Sequence, residues 1–65
     1  MKEQDARTPR EIREALGLTT KFVAAQLNLN SHNYTRRERG DVEWSAKELK
    51  AFSMLTGVPV EQIAI

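Results

Sequence analysis

The chain has 65 residues, 40% hydrophobic and 29% charged, with a formal net charge of +1. That length bounds it to one domain with a small core, and the absence of cysteine excludes disulfides, thiolate metal sites and thiol nucleophiles. So small a charge sets it apart from proteins that coat nucleic acid by neutralising phosphates, and no apolar run approaches the roughly 18 to 20 residues of a membrane span.

The opening MKEQDARTPR lacks the apolar centre of a signal peptide, so a cytoplasmic protein with a flexible stretch at 1–7 is expected. Thr8-Pro9-Arg10-Glu11 then supplies a threonine cap, proline at the first helical position and glutamate three residues after the cap. The first helix is expected over about 9–16, burying Ile12 and Leu16, with Gly17 ending it. Thr19 caps a second helix, about 20–27, whose inner face is Val23, Ala24 and Leu27, with Leu18 stapling to Val23. Asn28 suits the turn because asparagine tolerates a left-handed backbone. Asn30 caps a third helix, about 31–39, with Leu29 stapling to Tyr34 and Gly40 closing it. Ser45-Ala46-Lys47-Glu48 is a capping box for a fourth helix, 45 or 46 to 56, with Trp44 placed to staple onto Leu49. Leu49, Phe52, Leu55 and Thr56 recur at helical spacing; Gly57 stops the run, and 59–63 forms a last short helical turn. No segment alternates like a strand, so the expected fold is all-α: a compact bundle of four to five short helices, spanning 8–65 and containing a helix-turn-helix.

On the third helix His32, Thr35, Arg36 and Arg39 fall at i, i+3, i+4 and i+7, one polar stripe with Ser31 beside its start. Such side chains match base edges in a major groove, arginine to guanine being the strongest pairing. The opposite side offers one clear apolar anchor, Tyr34. A polar stripe is also ordinary on a surface helix, and the short helix-turn-helix ahead of it gives it meaning.

Those residues resemble a known family. Positions 12 to 63 are similar to the lambda-repressor-like, or Cro/C1-type, helix-turn-helix DNA-binding domain: Gly-Leu-Thr at 17–19, Val-Ala at 23–24, Leu27 before the turn, Glu38-Arg39-Gly40 closing the third helix, and Leu55-Thr56-Gly57-Val58 with Val60 and Ile63 in the tail. The resemblance implies five helices, with 20–27 over the DNA backbone and 31–39 in the groove. It implies base contacts from Ser31, His32, Thr35 and Arg36, and backbone contacts from Thr20, Asn30, Arg39 and the loop after Gly40. It also implies an Arg13–Glu38 ion pair between helices, double-stranded DNA as partner and a weak homodimer. A brief chain of this kind suits a transcriptional regulator of phage or mobile-element type.

The chain departs from the family at several points. Thr20 replaces a phosphate-contacting glutamine, and Arg37 takes a place usually apolar, so that its stem packs and its head escapes, or the helix sits differently. Asp41 and Glu43 bring carboxylates where relatives carry basic residues, and over 31–43 Arg36, Arg37 and Arg39 are balanced by Glu38, Asp41 and Glu43. Phe22 replaces a polar residue at an exposed site and has two readings: it folds over the end of the first helix into the core, or it anchors a protein partner. Phe22 and Arg37 with the acidic loop thus give the alternative function, a helix-turn-helix that binds protein, such as an antirepressor gripping a repressor's DNA-binding domain or the antitoxin-like half of a pair. His32, the only histidine, has no ligand set around it in the sequence, so no metal is expected. Lys47 and Lys50 solvate the fourth helix, Lys47 within reach of a phosphate. No Gly-rich phosphate loop, nucleophile triad or paired carboxylate site is present, so neither enzymatic activity nor a cofactor is expected.

Overall fold

Three successive helices stop in the same way, and that repetition sets the path of the chain. The computed structural model describes residues 6–65. Helices α1 (Pro9–Ala15), α2 (Thr20–Gln26), α3 (Ser31–Glu38) and α4 (Ala46–Thr56) are followed by one 3-10 turn, Val60–Gln62. After α1, the N–H of Leu18 donates to the Arg13 carbonyl and that of Gly17 to the Glu14 carbonyl, both at 3.0 Å. After α2, Leu29 donates to Ala24 (2.8 Å) and Asn28 to Ala25 (3.2 Å); after α3, Asp41 donates to Arg36 (2.9 Å) and Gly40 to Arg37 (3.2 Å). This paired pattern occupies carbonyls that a helix end leaves open, and it requires one left-handed residue. Gly17, Asn28 and Gly40 fill that role, and Asn28, at φ 62°, is the only non-glycine with positive φ among the described residues.

Each helix also opens as its sequence dictates. Thr8, Thr19, Asn30 and Ser45 accept from the N–H three residues on, and Thr8–Glu11 and Ser45–Glu48 are complete capping boxes. A cap typically stabilises by about 1 kcal/mol. The helices end within a residue of expectation because the residue after each last turn serves as the cap.

Ile12, Val23, Ala24, Leu27, Tyr34, Phe52 and Ile63 form the core, and Leu18, Leu29, Trp44, Leu49, Leu55 and Val58 pack around it. The radius of gyration, 11.2 Å, is close to the roughly 11 Å of a compact chain this long. Trp44 stands edge-on to Tyr34 and to Phe52, with centroids 5.9 and 5.3 Å away, so its partners lie on both α3 and α4 and the expected staple onto Leu49 is too local a description. Thr56 is half-buried, and its hydroxyl donates to the Phe52 carbonyl one turn back at 2.9 Å.

One expectation needs correction, and two others gain detail. Leu16 is 51% exposed, because α1 ends before it and the Gly17 turn brings Leu18 to the core instead. Of the expected flexible stretch 1–7, residues 1–5 lie outside the described residues, and Arg7 is bonded to the C-terminal segment. Its N–H donates to the Gln62 carbonyl (3.0 Å) and its carbonyl accepts from Ala64 (2.7 Å), making a single parallel bridge to Ile63. Phe22 does not fold into the core; it remains 45% exposed. No helix among the described residues is long and apolar enough to cross a membrane.

Candidate nucleic-acid interface

Helix α3 packs against α2 and buries one side chain completely, Tyr34, and polar side chains tie it to α1 and α4. The Tyr34 hydroxyl donates to Glu38 Oε2 at 2.5 Å, and Arg13 Nε donates to the same oxygen at 2.7 Å. Arg13 also reaches Glu38 Oε1 (3.4 Å) and, through Nη1, the Leu18 carbonyl (2.9 Å). Burial, reinforced by the Glu38 acceptor and its charge, pushes the Tyr34 phenol far above its ordinary range. The hydrogen bond to Glu38 raises Arg13 further, so the guanidinium stays charged.

On the other flank Arg37 holds α3 to α4. Its Nε donates to Glu48 Oε1 at 2.8 Å, its Nη1 to the Asn33 carbonyl at 3.0 Å, and its own carbonyl accepts from Trp44 Nε1 at 3.1 Å. Glu48 Oε1 simultaneously accepts from the Ser45 N–H (3.0 Å). Burial alone would raise the Glu48 carboxyl, but the Ser45 and Arg37 hydrogen bonds outweigh it and hold the group below its ordinary value. The head of Arg37 therefore does not escape to solvent. Its side chain is 17% exposed and committed to an internal ion pair, which removes Arg37 from the expected partner-binding surface.

These attachments use one side of α3 and leave the other open. Ser31, His32, Arg36 and Arg39 are exposed, while Thr35 is half-buried and thus recessed between them. Asn30 is exposed, but its side-chain oxygen already accepts from Asn33 N–H at 2.7 Å, which leaves its amide NH2 as the outward donor. Thr20 is half-buried at the first turn of α2. Arg39 pairs with Asp41 at 2.9 Å, both well exposed, a contact weak enough to exchange for another anion.

The pairing pattern changes the meaning of the balanced charge over 31–43. Glu38 belongs to Arg13, Arg37 to Glu48 and Arg39 to Asp41, so of the charged residues in 31–43 only Arg36 and Glu43 have no ion-pair partner among the described residues. The Arg37–Glu48 link was not foreseen, because Glu48 was already explained as a cap and nothing in sequence spacing joins it to residue 37. The only signal was a charged residue on the inward side of α3. Two clefts, about 400 and 260 Å³, lie beside α3; Arg39 at the end of the stripe lines the larger, and Ser31, His32, Thr35 and Arg36 line neither. Lys47 lines the smaller one, beside Gln26 at the end of α2 and Asn28 of the α2–α3 turn.

No protein-family model, curated protein or solved structure matches this chain.

Proposed function

We propose that the chain is a small sequence-specific DNA-binding regulator that reads the major groove with α3. The observation carrying this reading is the division of α3 into two sides: Tyr34, Arg37 and Glu38 bind inward, while Ser31, His32 and Arg36 face solvent without internal partners among the described residues. Arg36 supplies the main base contact, Ser31, His32 and Thr35 tune it, and Thr20, the Asn30 amide and Arg39 fix register on phosphates. By the resemblance in its helix-turn-helix, the protein acts in the cytoplasm as a weak homodimer on paired half-sites, as a phage-type repressor would. It binds rather than catalyses, and uses no cofactor.

Selection from a randomised duplex library at two salt concentrations tests this. An enriched motif supports a reader, whereas salt-sensitive binding without enrichment leaves only attraction to phosphate. Arg36→Ala should cost about 1 to 3 kcal/mol on the selected site and erase preference at one base pair. A loss spread evenly over all sequences would make Arg36 a phosphate contact.

A protein partner is the second reading, and Phe22 favours it: an aromatic ring that the described residues leave 45% exposed on α2 is an apolar anchor. Phe22→Ala should abolish capture of a partner from the native host on this reading, and leave DNA affinity nearly intact on the first.

A further inference from the structure

We propose that Arg37 and Glu48 are positioning residues for the reading face: their bridge between α3 and α4 sets how α3 sits, and hence which base edges Ser31, His32, Thr35 and Arg36 meet. This rests on the reading that α3 binds DNA. Burial of the Tyr34 ring sets the depth of α3, and its hydroxyl bond to Glu38 stays within α3, so neither ties the rotation of α3 to another helix. Residues 34, 37 and 38 share one side of the helix, so the rotation is set by what 37 and 38 hold. Glu38 is held from α1 by Arg13 at 2.7 Å, and Arg37 from α4 by Glu48 at 2.8 Å. The planar guanidinium of Arg37 is fixed twice, by the Glu48 carboxylate and by the Asn33 carbonyl one turn back in its own helix. Trp44 holds the Arg37 carbonyl as well, so residue 37 is constrained through both backbone and side chain. Glu48 is immobilised in turn by the Ser45 cap, which ties the whole clamp to the start of α4.

Removing both charges together, Arg37→Met with Glu48→Gln, leaves no stranded ion, and glutamine still supports the capping box. Two measurements are made on the native chain and this variant: amide hydrogen exchange of the free protein, and affinity for the library-selected duplex relative to a scrambled one. The expected result is exchange about tenfold faster at Tyr34–Arg39 than in the native chain, unchanged in α4, with discrimination between the duplexes reduced about tenfold. Glu48→Gln alone retains an acceptor for Arg37 and should keep native discrimination, a rescue that a general stability role does not predict. Uniformly faster exchange in all helices, or native exchange and discrimination in the double variant, overturns the proposal. If the native chain selects no motif, the DNA reading itself fails, and the exchange pattern still decides whether the pair orients α3.

Discussion

Arg13 Nε and Glu38 Oε2 lie 2.7 Å apart although 25 positions separate them in the chain, and their side chains are only 13% and 6% exposed. The contact joins α1 to the end of α3, and the Tyr34 hydroxyl shares the same carboxylate oxygen. A pair so enclosed differs from a surface ion pair, which is worth about 0 to 1 kcal/mol. Here each partner, if left alone, keeps its desolvation penalty.

Glu38→Ala should therefore destabilise the fold by about 3 kcal/mol, because it leaves the Tyr34 hydroxyl without its acceptor and Arg13 with only the Leu18 carbonyl and Glu14 at 3.9 Å. That is a large share of the roughly 5 kcal/mol available to a small domain. Urea unfolding followed by helical circular dichroism measures it. A loss below about 1 kcal/mol would place the pair with ordinary surface contacts.

Acid should weaken the protein through Glu48. Its carboxyl is held below the ordinary 4.5 in the folded state, so in that window the unfolded chain binds more protons. The resulting stability is fully present above the unfolded value and is lost as pH falls through the folded one. Unfolding midpoints taken from about pH 6 down to about pH 3 should decline for the native chain and decline less steeply for Glu48→Gln. Parallel curves would mean that Glu48 gains nothing from Ser45 and Arg37.

The helix starts were legible because each cap is a local device: a threonine, asparagine or serine whose side chain meets an N–H three residues on. Most of the inner faces followed from helical spacing. Leu16 did not, since spacing cannot register that the helix stops one residue earlier and the chain reverses at Gly17. Phe22 and Arg37 were ambiguous for a different reason: their places depend on contacts distant in sequence, and the Arg37 partner lies 11 positions away in another helix. Of the candidate interface, the exposed side of α3 was legible, and the clamp that orients it was not.

Asn28 offers a check on the turn between α2 and α3. Its φ of 62° disfavours side chains that cannot hydrogen-bond locally. Asn28→Ala should cost roughly 1 kcal/mol, while Asn28→Gly should be neutral or slightly stabilising. Denaturant midpoints for the two variants should fall on opposite sides of the native value or bracket it closely. Equal losses in both would show that the asparagine side chain, rather than its backbone conformation, holds the turn.

Asp41 bears on how the proposed reader meets phosphates. Its carboxylate pairs with Arg39 at 2.9 Å on the exposed loop after α3 and thereby occupies a cation expected to contact DNA. Asp41→Asn removes a charge that repels phosphate and releases Arg39 at once. Affinity should rise for selected and scrambled duplexes alike, most at low salt, because Arg39 no longer has to leave Asp41 to reach a phosphate and a repelling carboxylate is gone. Sequence preference should be unchanged, because a phosphate contact carries no base information. An unchanged affinity at low salt would mean that Arg39 does not face the backbone, and a shift in preference would move it from the phosphates to the base edges.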